Sequence, residues 1–350
     1  MAAVNVTVVG LGKLGASFGL AVRALNQRAD KKHTFTVTGT DRLNTAIKAA
    51  VKLGAVDQEV SSIERAVEGA DLVFLAVPYD MTLDVMAVVG PALKPGAVVM
   101  DAAPLKLPSI AWAEEHFRRD EEGSLAAYLV GVVPILSPAH VGESTEATEA
   151  AKADLFDDGL MIVSPAPSCP PEAVRLIADL SQLLGIKLHF VDPAEYDGMA
   201  AGMEGLPILM QLALFQSLSR SRSWVDMQWL GNTSFFLATY HLMERRPEAL
   251  AKRLHHNRDS VLRRLDALLD SLGELREVLA SGEEEVLAEH FDSAMQEFAR
   301  WQTARIENRY STEPPPVQDV RPAVSLLGGF GNLMPSARAR REKREKRGSR

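Results

Sequence analysis

Cysteine is almost absent from this 350-residue chain, with Cys169 standing alone. A single thiol excludes an internal disulfide and a Cys-rich zinc site, and its setting in Pro-Ser-Cys-Pro-Pro, a loop before a helix, points to a bland structural role. Acids at metal-ligand spacing are missing around His241, His255 and His256, which argues against a metal centre. No apolar run approaches the ~20 residues of a membrane span, so no membrane insertion is expected. The first strand pattern begins a few residues after Met1, leaving no room for a cleaved leader, and the composition fits a soluble, cytoplasmic enzyme. No Ser-His-Asp order and no internal repeat stands out.

The chain is 47% hydrophobic, enough for one large core or two moderate ones, and its length suggests about two domains. Its net charge of -8 conceals an asymmetry. From Met334 to Arg350 eight Lys or Arg face only Glu342 and Glu345, a net of +6, so the rest carries -14. An acidic body does not attract nucleic acid. The tail, nearly free of apolar residues, is expected to be disordered; it is either a solvated extension or a contact for RNA, anionic lipid or an acidic partner.

What the chain does have is concentrated at its start. Val6-Thr7-Val8-Val9-Gly10-Leu11-Gly12-Lys13-Leu14-Gly15-Ala16-Ser17 sets G-x-G-x-x-G between a short β-branched strand and a helix. Gly10 permits a tight turn, Gly12 lets the backbone approach a pyrophosphate, and Gly15 lets helix lie close to strand, with helix N–H groups aimed at the anion. A second apolar run, Thr34 to Thr40, ends in Asp41, where an acid reads the ribose hydroxyls of a dinucleotide. The interval exceeds the usual ~20 residues, and the polar stretch Asn26 to His33 reads as an enlarged loop that absorbs the excess. The expected cofactor residues are Gly10, Gly12, Lys13, Leu14, Gly15, Asp41 and Arg42, with Val77 and Pro78 at the end of a later strand. An ionised Asp41 accepts from the ribose diol and repels a 2′-phosphate, which favours NAD; Arg42 beside it is placed to clasp that phosphate and keeps NADP as the alternative.

Strand and helix patterns alternate through the first half, the signature of a doubly wound parallel sheet of Rossmann type. Asp71 to Val77 is a nearly continuous apolar run, and Val98 to Met100, Leu129 to Ile135, Leu160 to Val163 and Lys187 to Val191 are further strands. Gly10 to Gly15, Asp41, Pro78 to Asp80 and Asp101 to Lys106 should therefore converge on one crevice beyond the carboxyl ends of the strands. At Asp192-Pro193-Ala194-Glu195 a capped helix opens an all-helical domain. Leu254, Val261, Leu265, Leu268, Leu272, Leu275 and Leu279 recur there at helical spacing, a face that suits a bundle core and, in part, a second copy in a homodimer. The expected organisation is a dinucleotide-binding domain over 1–193, a helical substrate and dimerisation domain over 194–310, and a linker with the basic tail over 311–350.

Taken in order, these motifs resemble the prephenate and arogenate dehydrogenase family over roughly Val4 to Tyr310. Gly-Leu-Gly-Lys-Leu-Gly-Ala-Ser is similar to its glycine loop, Asp71 to Pro78 to its strand ending in Val-Pro, Gly131 to Pro134 to its Gly-x-His-Pro turn, Leu155-Phe156 with Gly159 to its Leu-Phe-x-Gly segment, and Glu195 to Pro207 to its Glu-His-Asp helix leading to His-Leu-Pro-His. The resemblance implies hydride transfer to a nicotinamide with loss of the ring carboxylate as carbon dioxide, assisted by a histidine that takes the hydroxyl proton, a serine that positions it and an arginine that binds a substrate carboxylate. Each of these groups is replaced. The serine falls on Pro104, the turn histidine on Val133, the helix histidines on Tyr196, Gly205 and Ile208, and the arginine near Phe236, while Asp101, Lys106, Asp197, Leu206 and Pro207 are kept.

Lys106, following the strand that ends at Asp101, is the surviving candidate for proton transfer; the bland alternative is a lysine that closes its loop. Glu204 is the candidate substrate contact. With Phe236 in place of the arginine, a carboxylate there suits an ammonium, which favours arogenate over prephenate; its alternative is an ion pair between domains. His140 lies in the long loop Ser137 to Thr148, either swung inward or at the surface. The resemblance implies an NAD(P)-dependent oxidoreductase acting on prephenate, arogenate or another small substrate. The competing expectation is a catalytically silent dinucleotide-binding homodimer, a sensor or scaffold, which a crevice lined only by Val133, Pro104, Ile208 and Phe236 would favour.

Overall fold

The computed structural model describes residues 2–29, 33–140, 145–239, 242 and 246–307; His241, the linker and the basic tail lie outside them. Residues up to Ala299 form one compact unit, and beyond it only the end of the last helix is described. Eight strands, β1 (Ala2–Val9), β2 (His33–Thr40), β3 (Gln58–Glu59), β4 (Leu72–Leu75), β5 (Val98–Asp101), β6 (Tyr128–Ile135), β7 (Leu160–Pro165) and β8 (Lys187–Phe190), form one sheet in the order β3-β2-β1-β4-β5-β6-β7-β8. Between and after them run α1 (Lys13–Leu25), α2 (Asn44–Leu53), α3 (Ile63–Val67), α4 (Thr82–Ala92), α5 (Leu107–His116) and α6 (Pro171–Leu183). The helical part comprises α7 (Pro193–Ala200), α8 (Leu206–Ser219), α9 (Trp224–Met227), α10 (Thr233–Thr239), α11 (Pro247–His256), α12 (Arg258–Ser281) and α13 (Glu284–Ile306).

All residues of β4 and β5 are buried, as strands covered on both faces must be. On one face Phe18 of α1 stacks on Phe74 of β4 with ring centroids 4.1 Å apart, beside Phe156 and Ile177. On the other, Val67, Val85, Met86, Ile110 and Phe117 from α3 to α5 and their flanks pack against Val73 and Val99. β1, β2, β4, β5 and β6 run parallel, so their carboxyl ends open on one side, and the strand order reverses between β1 and β4. Strand β7 departs from the all-parallel expectation by pairing antiparallel with β6. Among the described residues the connection between them holds only the short turns Pro138–His140 and Thr148–Ala150, and a chain without a crossover helix returns antiparallel.

A third apolar cluster, Tyr79, Ala103, Leu105, Val191, Tyr196 and Ala200, joins the carboxyl ends of the strands to α7. Asp192 caps α7 as expected, accepting from the N–H groups of Ala194 (2.8 Å) and Glu195 (3.2 Å). Its helix runs through a π-helical turn, Ala201–Gly205, into α8. The result is a continuous helix, Pro193–Ser219, which by length and composition alone could cross a membrane. Asp197 and Glu204 interrupt its apolar residues, and its first half is tied into the fold through Tyr196 and Asp197. Beyond Ile208 most of the apolar residues of α8 and of α12, including Leu272, Leu275 and Leu279, remain exposed in the single chain.

Candidate active site

The crevice begins where β1 ends. Gly10 has φ +93°, and a Cβ there would lie 2.3 Å from the Ala76 carbonyl oxygen; one on Gly15 would lie 1.9 Å from that of Gly10. Both positions require glycine for the chain to turn and for α1 to sit against the strand. Gly12 caps α1 without a side-chain acceptor, and the first turn has no acid, so the helix N-terminus keeps the character of an anion site. Asp41 closes the loop from β2, accepting from the N–H of Leu11 (2.7 Å) with one oxygen and that of Leu43 (2.8 Å) with the other. Its carboxylate retains lone pairs for a ribose diol. Arg42 is exposed beside it, Leu14 is half-buried, and Val77, with Pro78 next in the chain, lies against Gly10.

The end of the loop expected over Ser137 to Thr148, from Glu146, and the residues just after it lie directly on these glycines. The Lys13 N–H donates to the Glu146 carbonyl (2.9 Å), the Thr148 hydroxyl to that of Leu11 (2.7 Å), and the Lys152 N–H to the Ser17 hydroxyl (2.9 Å). A pyrophosphate on this turn must take the Lys13 amide from Glu146. The glycine cradle, the uncapped helix and Asp41 otherwise fit a dinucleotide. His140 is not at the surface: it is buried, with Nε2 3.4 Å from the Asp154 carboxylate.

Lys106 is fully buried, and its ammonium donates to three carbonyls, those of Asp101 (3.0 Å), Val132 (2.9 Å) and Ala103. Three donors on three acceptors leave none for a substrate. Burial lowers its pKa to about 8, against the pull of Asp101, Asp197 and Glu204, so it stays protonated at neutral pH. These bonds match the bland alternative for Lys106, a lysine that closes its loop: it ties the loop after β5 to β6. A Cβ on Gly131 would lie 2.5 Å from its stem, which explains that glycine. Asp197, raised in pKa by burial, caps α5 by accepting from the N–H groups of Lys106 (2.7 Å) and Leu107 (3.1 Å).

The helical side brings together groups far apart in sequence. Glu204, on the π turn, pairs with the guanidinium of Arg253 on α11; the arginine side chain is 7% exposed and the glutamate 42%. Glu204 is thus no free carboxylate awaiting an amine, and its ion-pair alternative is the one realised. The crevice also holds a cation, Arg253, close enough to Tyr79 and Tyr196 to offset part of the rise that burial imposes on their pKa values. Phe236, near which the family resemblance sets the carboxylate-binding arginine, is half exposed. The neighbours of Arg253 clamp the turn after β4: Lys252 donates to the Asp80 carbonyl (2.9 Å), and the Tyr79 hydroxyl lies 2.7 Å from Nδ1 of His256. Arg246, just before α11, pairs with the Asp80 carboxylate (2.9 Å). Nothing in the spacing of Tyr79 and His256 signalled that pair; only the Val-Pro-Tyr-Asp strand end hinted at half of it.

The replaced positions make a coherent apolar seam. Val133 packs on the cluster that contains Tyr79 and Tyr196. A Cβ on Gly205 would lie 3.3 Å from Val261, so α12 approaches where a larger side chain would stand. Polar groups nevertheless stand beside Val133: Tyr79, paired with His256, belongs to the cluster it packs on, and Arg253, paired with Glu204, lies near enough to act on the charge of Tyr79.

Comparison with known proteins accords with this architecture. The chain is 25% identical over 291 residues to a cyclohexadienyl dehydrogenase of Zymomonas mobilis, covering 82% of this chain and 92% of that one. Among solved structures it is similar to prephenate dehydrogenase from A. aeolicus in complex with hydroxyphenyl propionate and NAD+ (TM-score 0.71, 21% identity, 86% of this chain and 99% of the other). It is also similar to Synechocystis arogenate dehydrogenase (TM-score 0.65, 21% identity, 85% and 99%). At that identity the structural likeness speaks for the fold. Family models for the prephenate dehydrogenase nucleotide-binding domain and dimerization domain match residues 23–190 and 192–293, the first starting just beyond the glycine loop. With most of its length matched by both, the chain belongs to the prephenate dehydrogenase family.

Proposed function

We propose that this protein is an NAD-dependent dehydrogenase that oxidises and decarboxylates a cyclohexadienyl carboxylate of the prephenate and arogenate class. The observation that carries the reading is a group of paired polar side chains, Tyr79 with His256 and Arg253 with Glu204, gathered past the carboxyl end of β4 beside the β1/β4 switch point, where ligands of such sheets bind. The part up to residue 193 holds the dinucleotide: Gly10, Gly12, Lys13, Leu14 and Gly15 take the pyrophosphate, Asp41 the ribose, and Val77 and Pro78 flank the nicotinamide, with Arg42 at the edge. Asp41 favours NAD over NADP. When bound, the nicotinamide supplies the electron acceptor. Residues 194–310 cover the substrate, with Arg253, oriented by Glu204, facing the carboxylate that both substrates carry. The exposed leucines of α12 support a homodimer through this half, and a cytoplasmic enzyme remains our expectation.

The silent sensor draws support from Lys106, whose donors are engaged by carbonyls, and from Val133 in its apolar seam. A substrate panel decides between them. Prephenate and arogenate, each assayed with NAD and NADP by nicotinamide absorbance, should give turnover with at least one substrate and a preference for NAD. Dinucleotide binding without turnover of either would establish the silent reading.

A further inference from the structure

A dehydrogenase needs a group that receives the substrate hydroxyl proton as hydride leaves carbon, and Val133 cannot supply it. Four residues after β4, on the lip of the switch point, stands Tyr79, 7% exposed. It packs on the same cluster as Val133, and its hydroxyl lies 2.7 Å from Nδ1 of His256, the rings meeting edge to face with centroids 5.7 Å apart. The turn and α11 are already fastened by Arg246 and Lys252 on Asp80. Docking alone therefore does not call for a tyrosine–histidine bond beside the cluster on which Val133 packs.

We propose that Tyr79 contacts the substrate hydroxyl and, with His256 behind it, forms the proton relay of this enzyme. The inference rests on the dehydrogenase reading above. In the relay the substrate O–H proton passes to the Tyr79 oxygen as the Tyr79 proton passes to Nδ1 of His256. The carbon bearing the hydroxyl is oxidised, its hydride reducing an oxidised nicotinamide dinucleotide. The bond to the ring carboxylate breaks, its electron pair completes the aromatic ring, carbon dioxide leaves, and the proton returns along the relay to the ring oxygen. No net proton is consumed.

The surrounding charges suit these roles. Burial, Asp197 from α7 and Asp101 from β5 push the Tyr79 pKa up, against Arg253, so the phenol stays neutral and relays rather than ionises. Burial, Lys252 and His255 hold the His256 imidazole below its ordinary range, so it is neutral and able to accept. Asp80 is engaged by Arg246, and Glu204 by Arg253.

The test uses Tyr79→Phe, which keeps the ring in its cluster, and His256→Gln. Each should lower kcat/KM by at least about 10²-fold, the low end of general acid–base assistance, with dinucleotide affinity unchanged. Wild-type kcat/KM should climb with pH through a midpoint below 6.5 as His256 loses its proton, and that limb should vanish in His256→Gln. In the free protein, NMR titration should find the His256 midpoint raised in Tyr79→Phe, because a hydrogen bond that favours the neutral ring is lost. An active wild type with a fully active Tyr79→Phe variant overturns the relay and leaves the dehydrogenase reading standing. A slow Tyr79→Phe variant with the wild-type pH profile and His256 midpoint overturns it too, reducing the bond to docking. A wild type that turns over neither substrate overturns both.

Discussion

Around Gly10 to Gly15 the groups presented to the crevice are backbone amides held by glycine geometry, with one carboxylate, Asp41, locked onto them. Facing them are side chains, Tyr79 from the turn after β4 and His256, Glu204 and Arg253 from the helical part, each held by another side chain from a distant segment. The first kind of site depends on what is absent, a Cβ, and tolerates almost no addition. The second depends on partners, and a change is felt through what it leaves unpaired.

The largest effects should come from adding carbon to the loop. Gly10→Ala meets a carbonyl at positive φ, and Gly15→Val drives into the Gly10 carbonyl; each should cost about 3 kcal/mol or more and lose the native fold by circular dichroism. Gly12 differs, because a Cβ there meets only the Glu146 carbonyl, at 3.2 Å. Gly12→Ala should melt near the wild-type temperature yet bind dinucleotide at least about tenfold more weakly by calorimetry, a loss of some 1.4 kcal/mol. Wild-type affinity in that variant would make the glycine loop structural throughout.

Next in size is Lys106→Met. It strands the carbonyls of Asp101, Ala103 and Val132 and should destabilise by roughly 3 kcal/mol in denaturant unfolding. The sign of its pH dependence is fixed by its lowered pKa. Between about 8 and 10.5 the unfolded chain holds the Lys106 proton that the folded chain has released, so wild-type stability gains from Lys106 as pH rises through that window. The methionine variant should lose that gain. An unchanged midpoint at neutral pH would mean that the lysine does not hold the loop.

The two sides of the crevice also differed in how much could be read in advance. Glycine spacing, the acid ending the second strand and the Asp192-Pro193 cap are local signals, since each is set by backbone geometry within a few residues. The strand positions and the helical half followed from periodicity in the same way. The antiparallel β7 did not, because apolar alternation carries no direction, and the seating of Glu146 on Lys13 links positions far apart in the chain. Arg253 was missed for a related reason. On a charged helix face an arginine looks solvated, and only the fold brings Glu204 over it.

The smallest expected effect, from Glu204→Gln, bears most directly on the substrate. The glutamate is 42% exposed, so the amide that replaces it can still accept from Arg253 while solvent screens the lost charge, and the cost should be about 1 kcal/mol. A double-mutant cycle with Arg253→Met should return a coupling of similar size. Function separates the two roles of the pair more sharply than stability does. If Glu204 merely orients Arg253 toward a carboxylate common to prephenate and arogenate, freeing the guanidinium should change KM for both by the same factor and leave their ratio alone. If Glu204 itself recognised an ammonium, arogenate alone would suffer. Steady-state kinetics of both substrates with wild type and Glu204→Gln distinguishes these outcomes, and a selective loss of arogenate would return Glu204 to the substrate and make Arg253 its support.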